Sequence, residues 1–148
     1  MSSVQPSTNS ESSNILKPVV NVGVEPGETV LILDFGSQYA QLIARRVREA
    51  GAFSVLLAPD TPINKLAAYQ PAGIVLSGGP SSVSAQGAPR CDERIFDLGV
   101  PVLGICYGMQ LGCEILGGTI EAAQAREYGR SVLKVLDNTG IFRGMPTD

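Results

Sequence analysis

The chain has 148 residues, a length that suits one domain with a hydrophobic core. Its hydrophobic content of 44% is too high for a disordered protein, and its formal net charge of −3, without a basic block, argues against a nucleic-acid partner. The longest apolar runs are far shorter than a membrane span and the N-terminus lacks a secretory signal, so we expect no membrane association.

The three cysteines give a further constraint. Cys91, Cys106 and Cys113 do not show the paired spacing of a metal site, so we predict no metal ligands among them. An odd number of cysteines fits a reducing compartment, where disulfides are rare. We therefore expect a cytoplasmic protein.

The N-terminal segment, residues 1–28, is rich in Ser, Asn, Pro and Gly. This composition is typical of a flexible leader, because it offers little apolar surface to bury. Within it, only residues 19–24 could add a short edge strand to a sheet.

From residue 29 onward, strand and helix patterns alternate four times. The predicted strands are residues 29–33, 53–57, 73–76 and 101–105. The predicted helices are residues 38–50, 63–69, 91–98 and a segment that reaches Leu116. Two later runs, residues 119–121 and 131–136, are predicted to be antiparallel strands at the sheet edge. This alternation predicts an α/β fold with a parallel sheet. In such sheets, ligands bind at the carboxyl ends of the strands.

Polar residues at two helix starts are interpreted as caps. Ser37 can cap the first helix, and Thr61 can cap the second with Pro62 as its first residue. Residues 34–37 (DFGS) lack the glycine spacing of the known phosphate-binding loops, so capping is the better interpretation of this segment.

Residues 104–110 (GICYGMQ) place Cys106 where a buried strand turns into a helix. Glycines two residues before and two residues after the cysteine relieve crowding, as in the nucleophile elbow of hydrolases with cysteine in place of serine. The helix N-terminus favours a negatively charged thiolate, which is the attacking species. The alternative is a buried structural cysteine that packs as a small apolar residue.

Residues 77–80 (SGGP) follow the third predicted strand. Two glycines allow close approach to a ligand and let backbone N–H groups turn toward it. We interpret the loop as part of an oxyanion hole that the N–H of Tyr107 completes. Taken alone, the same residues are more typical of a tight turn after a strand, and only their pairing with the elbow favours the functional interpretation.

These motifs resemble a known family. Residues 104–110 are similar to the nucleophile motif of class I, triad-type glutamine amidotransferases. Tyr107, where related amidotransferases usually have leucine, resembles more narrowly the glutaminase domains of the GMP synthase family. The other stretches that agree in order and spacing are residues 31–39 (LILDFGSQY), 45–49 (RRVRE), 76–80 (LSGGP) and 126–129 (REYG). The similarity runs from about Val30 to the end of the chain.

The resemblance implies a flavodoxin-like α/β fold: a parallel sheet with helices on both faces, incomplete at its C-terminal end. It implies that Cys106 attacks the side-chain amide of glutamine and forms a γ-glutamyl thioester. The backbone N–H groups of Gly79 and Tyr107 would hold the oxyanion, and Gly78 and Gln110 would help to seat the glutamine.

The resemblance also implies the place of this activity in a larger enzyme. Members of the GMP synthase family are ligases that pass ammonia to an ATP-pyrophosphatase synthetase domain, where it displaces AMP from adenylylated XMP. We expect residues 29–148 to be the N-terminal part of the amidotransferase domain, with no cofactor of their own. ATP and Mg²⁺ would belong to the synthetase domain, which is absent here, and the full-length enzyme would form a homodimer.

One departure from the family pattern concerns the catalytic triad, which also needs a histidine and a glutamate well downstream of the cysteine. The sequence contains no histidine and ends at Asp148. We therefore interpret it as C-terminally truncated and expect little or no glutaminase turnover. One alternative is an inactive amidotransferase-like binding or regulatory module, although the retained Cys106 argues against it. An FMN-binding flavodoxin-like module is a weaker alternative, because the loop after the first strand lacks a run of hydroxyl residues.

Overall fold

A computed structural model of the chain describes residues 27–121 and 132–147. Four parallel strands form one sheet in the order β2-β1-β3-β4. The elements are β1 (Thr29–Leu33), α1 (Ala40–Glu49), β2 (Phe53–Leu57), α2 (Ile63–Ala68), β3 (Gly73–Leu76), a 3₁₀ helix (Glu93–Leu98), β4 (Val102–Gly104), α3 (Tyr107–Ile115) and a second 3₁₀ helix (Gly140–Phe142). The predicted α/β fold with a parallel sheet is confirmed.

Helices cover both faces of the sheet. Leu31 and Leu76 belong to the larger core cluster, which contains residues of α2, α3 and the first 3₁₀ helix. Ile32 and Val75 belong to a smaller cluster on the opposite face, where Ala44 of α1 packs against them. Because β1 and β3 are the inner strands and are buried on both sides, they are continuous apolar runs rather than alternating ones.

The helix starts differ from the predicted caps. Helix α1 begins at Ala40, two residues later than predicted, and Ser37 accepts a hydrogen bond from the Tyr39 N–H through its hydroxyl. The cap position of α2 is Pro62, and the Thr61 hydroxyl instead donates to the Ala58 carbonyl. In both places the polar side chain stabilises the preceding turn.

The two predicted late strands are wrong for the residues that the structure describes. Residues 119–121 and 132–136 lie outside any strand. Apolar and β-branched residues form a strand only where a neighbour completes the ladder, and Val132 is fully exposed. Residue 131 and the whole of residues 1–26, with the predicted leader and its edge strand, lie outside the described ranges.

No helix in the described ranges is long and apolar enough to cross a membrane.

The order of the strands brings three loops together at one end of the sheet. Strands β1, β3 and β4 are neighbours, and because they are parallel, the segments that follow them meet at their carboxyl ends. Residues 34–39, 77–80 and Cys106 are brought together in this way.

Candidate active site

Cys106 forms a strained turn between β4 and α3. Its backbone has φ 49° and ψ −108°, a conformation that residues with a side chain seldom adopt. The residue is exposed and it precedes the first turn of the helix. The predicted strand–cysteine–helix elbow is therefore confirmed, and the buried structural cysteine is excluded. Strain of this kind is typical of a residue that the fold holds in place for a chemical reason.

The glycines on either side of Cys106 are required by close backbone contacts. A Cβ atom on Gly104 would lie 2.5 Å from the Cα of Met109, across the elbow. A Cβ atom on Gly108 would overlap the carbonyl oxygen of Leu76 in β3. Helix α3 therefore starts directly against the sheet, and only glycine permits this approach.

The side chain of Tyr107 packs beneath the elbow, in the core between the sheet and the segment that contains Pro89. It is buried, its ring lies 5.2 Å from that of Phe35, and its hydroxyl donates a 2.5 Å hydrogen bond to the carbonyl oxygen of Pro89. Burial raises the pKa of this hydroxyl, so it stays a protonated donor. The sequence predicted a role only for the backbone of Tyr107, because spacing does not reveal the buried partners of its ring.

The glycine loop after β3 runs close to both neighbouring segments. A Cβ atom on Gly79 would lie 2.7 Å from the carbonyl oxygen of Phe35, which is closer than real contacts allow. One on Gly78 would lie 3.7 Å from the Cβ of Cys106 and 3.6 Å from the Ser37 hydroxyl oxygen. Gly78 thus faces Cys106 at ordinary contact distance, whereas Gly79 has no room for a side chain.

These segments enclose a cleft of about 380 Å³, within the usual range of small-molecule sites. It is lined by Gly36, Ser37, Gln38, Tyr39, Gly78, Gly79, Pro80 and Cys106. Three residues predicted for the site, Cys106, Gly78 and Gly79, therefore meet in one cleft. Gln110 does not line the cleft; it lies one turn into α3, with its N–H bonded to the carbonyl of Cys106.

The loop after β1 forms a wall of the cleft, as expected for a segment at the carboxyl end of a parallel strand. The Asp34 carboxylate accepts hydrogen bonds from the N–H groups of Gly36 and Ser37 and so shapes a tight turn. This turn carries Ser37, Gln38 and Tyr39 into the cleft. Their position after a buried strand was the signal, although Ser37 was given a role only as a helix cap.

Two backbone donors remain open beside the cysteine. Within the parts of the chain that are described, no hydrogen bond engages the N–H of Gly79 or the N–H of Tyr107. By contrast, the Gly108 N–H donates to the carbonyls of Ser77 and Ile105. The first N–H groups of a helix have no partner within it, and they attract negative charge.

The other two cysteines lie in different surroundings. Cys91 is half-buried, and burial raises the pKa of its thiol to about 11. Cys113 is exposed and lines a separate groove of about 170 Å³ beside β4, with apolar neighbours such as Phe96 and Leu116. Of the three cysteines, only Cys106 faces the cleft.

The comparisons with known proteins agree with this geometry. The sequence profile of the family "Glutamine amidotransferase class-I" matches residues 31–148, most of the chain. The chain belongs to this family. The match begins within β1 and includes the loop after it, the glycine loop and the elbow, which are the segments that line the cleft.

Individual relatives and one solved structure are also similar to this chain. The chain is 51% identical over 121 residues to glutamine-hydrolysing GMP synthases of Bacillus cereus strain AH820, Bacillus anthracis and Bacillus thuringiensis strain Al Hakam. These matches cover 82% of the chain and 24% of each relative, so the chain spans about a quarter of their length. A crystal structure from Thermoplasma acidophilum, of a protein assigned as one subunit of a GMP synthase, superposes with a TM-score of 0.68 at 27% identity, covering 80% of this chain and 60% of that one.

Proposed function

We propose that the cleft is a glutaminase site in which Cys106 cleaves the side-chain amide of glutamine. The observation that carries this proposal is a strained, exposed cysteine at a helix N-terminus that faces the Gly78–Gly79 loop. Together, strain, exposure and open backbone donors are not expected of a packing residue, whereas they suit a nucleophile that is held beside an oxyanion site.

The reaction proceeds in two steps. The Cys106 sulfur bonds to the amide carbon of glutamine, and the carbonyl electrons move onto the oxygen, which the N–H groups of Gly79 and Tyr107 stabilise. The carbonyl then re-forms, the C–N bond breaks, and the nitrogen takes up the thiol proton and leaves as ammonia. Water attacks the resulting thioester, which releases glutamate and restores the thiol. The sum is glutamine plus water giving glutamate plus ammonia.

Both steps need a group that carries protons between sulfur, nitrogen and water. Histidine is the usual choice near neutral pH, and this sequence has none. We therefore expect the 148-residue chain to form little ammonia by itself. Ammonia release from glutamine at a steady rate that Cys106→Ala abolishes would contradict this expectation.

The relatives support a role in a longer enzyme, because those from Bacillus are named glutamine-hydrolysing GMP synthases. In that role, ammonia would pass to an ATP-dependent synthetase domain that converts XMP to GMP in the cytoplasm, within a homodimer. ATP and Mg²⁺ would bind to that domain and not to the cleft around Cys106.

A second candidate is a binding module that retains the cleft without hydrolysis. The observation that favours it is the absence of histidine from the sequence. Such a module would still hold glutamine or a similar ligand between the loop and the elbow. It would not need Cys106 to react with glutamine-like reagents.

Covalent labelling distinguishes the two candidates. The reagent is 6-diazo-5-oxo-L-norleucine, a diazoketone analogue of glutamine: the thiol proton moves to the diazo carbon, dinitrogen leaves, and sulfur bonds to that carbon. A glutaminase site predicts labelling at Cys106, protection by glutamine, and no labelling at Cys91 or Cys113. Slow labelling spread over all three cysteines would overturn the proposal.

A further inference from the structure

Ser77 is a fully buried polar residue at the point where β3 enters the glycine loop. Its hydroxyl donates a 2.8 Å hydrogen bond to the carbonyl oxygen of Gly78 and accepts a 3.0 Å hydrogen bond from the N–H of Phe35. A buried hydroxyl is costly unless it is hydrogen-bonded, and here both its donor and acceptor capacities are used.

The first of these bonds orients the peptide that joins Gly78 to Gly79. That peptide is trans, since the described residues contain no cis bond. In a trans peptide, the carbonyl and the N–H point in opposite directions. Because the Ser77 hydroxyl holds the Gly78 carbonyl, the N–H of Gly79 points in the opposite direction, and Gly79 itself borders the cleft.

The main chain of Ser77 ties the same loop to the elbow. Its carbonyl oxygen accepts a 3.0 Å hydrogen bond from the N–H of Gly108, in the first turn of α3. Its N–H donates to the carbonyl of Leu33 at the end of β1. Ser77 therefore sets the loop relative to both the strand and the elbow that carries the cysteine.

A glycine pair needs such a constraint. Without side chains, the Gly78–Gly79 peptide can rotate with little steric cost, and either its carbonyl or its N–H could face the cleft. A carbonyl there would repel an oxyanion. The second hydrogen bond, from the N–H of Phe35, fixes the orientation of the Ser77 hydroxyl. Because the hydroxyl oxygen accepts this bond, its proton points away from Phe35 and is donated to the carbonyl of Gly78.

We propose that Ser77 is a positioning residue, whose hydroxyl fixes the Gly79 N–H toward the oxygen that becomes negatively charged during attack by Cys106. The inference rests on the proposed glutaminase function and adds the group that orients its oxyanion donor. Ser77 acts through the Gly78–Gly79 peptide and does not line the cleft itself.

The test compares two reagents on purified 148-residue chains. Labelling of Cys106 by 6-diazo-5-oxo-L-norleucine places a carbonyl oxygen beside the loop, whereas methyl methanethiosulfonate reacts with the same thiol without one. In Ser77→Ala, we expect the ratio of the two rate constants to fall about tenfold to a hundredfold, since loss of one oxyanion donor costs about 10²–10³ in rate. An unchanged ratio overturns the inference.

Ser54→Ala is the matched control. Ser54 is also buried, and its hydroxyl also donates to a backbone carbonyl, that of Ala44, while accepting from Arg48. Ser54 does not line the cleft, so its loss should leave the ratio within about twofold. Because it removes a comparable buried hydroxyl, it should lower stability in a similar way. An equal fall of the ratio in both variants would mean that a general loss of stability causes the effect, and it would overturn the inference.

A measurement on the unmodified chain avoids any dependence on how the variants fold. The Gly79 amide proton should exchange with solvent readily in the free chain and at least about tenfold more slowly once Cys106 carries the diazoketone adduct. A Gly79 amide that is already protected, or unaffected by the adduct, overturns the inference. If the reagent does not label Cys106 selectively at all, the glutaminase proposal fails and this inference fails with it; selective labelling with an unresponsive Gly79 rejects the inference alone.

Discussion

Two turns of the molecule contain a non-glycine residue with positive φ, and no others do in the described ranges. Gln70, at φ 46°, follows the end of α2, and Cys106, at φ 49°, precedes α3. At Gln70 the backbone closes the helix by ordinary means, with its N–H bonded to the carbonyl of Ala67. This is the position after a helix where glycine is most common.

The two residues have similar positive φ angles for different reasons. The side chain of Gln70 is exposed and has no hydrogen-bond partner in the described structure, so glycine could take its place. Glycine at position 106 would relieve the turn but remove the sulfur. Under the proposed function, the positive φ at the elbow is retained because the side chain there is the nucleophile, whereas at the ordinary turn it is incidental.

The largest expected effect comes from replacing the cysteine by glycine. Cys106→Gly should abolish diazoketone labelling and raise the free energy of unfolding by about 1 kcal/mol, because glycine adopts this backbone without strain. Intact-mass labelling and urea unfolding measure the two effects. Cys106→Ala is the control: it also loses labelling but keeps the Cβ, so it should gain no stability. Equal stability of the two variants would show that the elbow is not strained.

The next effect concerns the approach of α3 to the sheet. Gly108→Ala should lower the free energy of unfolding by about 3 kcal/mol, since its Cβ would overlap the backbone of Leu76. Gly112→Ala in the same helix is the matched control, because its Cβ would meet side-chain atoms of Phe96 and Leu76 at 3.4 and 3.9 Å. Similar unfolding curves for the two variants would contradict the proposed close contact.

A smaller effect is expected for the reactivity of the Cys91 thiol, which is half-buried in the native chain and exposed in the unfolded one. Because its pKa is raised to about 11, native Cys91 should react with N-ethylmaleimide about a hundredfold more slowly at pH 8 than in the urea-unfolded chain. The folded pKa exceeds the unfolded one, so the contribution to stability is present below about pH 9 and is lost as the pH rises toward 11. Equal rates in native and unfolded chains would refute the burial of this thiol.

The smallest effect is expected at the other turn. Gln70→Gly should raise the free energy of unfolding by about 0.5 kcal/mol, the relief of the left-handed backbone less the entropy that glycine adds to the unfolded chain. Diazoketone labelling of Cys106 should remain as in the parent chain. A change in labelling would mean that the two turns are coupled, and the contrast between them would then not hold.

Much of the fold could be predicted because it depends on local patterns. The strands 29–33, 53–57 and 73–76 were placed to the residue, since each is a short, largely apolar run with turn residues nearby. The elbow was predicted from two glycines around Cys106. The late strands were wrong, because a strand depends on a neighbour that its own residues do not specify.

The site was predicted only in part, for a related reason. Cys106, Gly78 and Gly79 were expected together, and they line the cleft, whereas Gln110 does not. The loop after β1 was expected at this end of the sheet, but Ser37 was predicted only as a helix cap, because the contacts of its side chain depend on the order of the strands in the sheet and not on the order of residues in the chain.

By itself, the sequence determined the order of the elements, the strand-to-helix turn at Cys106 and the small residues beside it, since these follow from backbone sterics and apolar periodicity over a few residues. Only the tertiary structure decided that β3 lies between β1 and β4. That placement brings the Ser77 hydroxyl, the glycine loop and the cysteine within reach of one another. The bond between Phe35 and Ser77 spans 42 residues of chain. Contacts over such separations depend on how whole layers pack, and no local pattern encodes them.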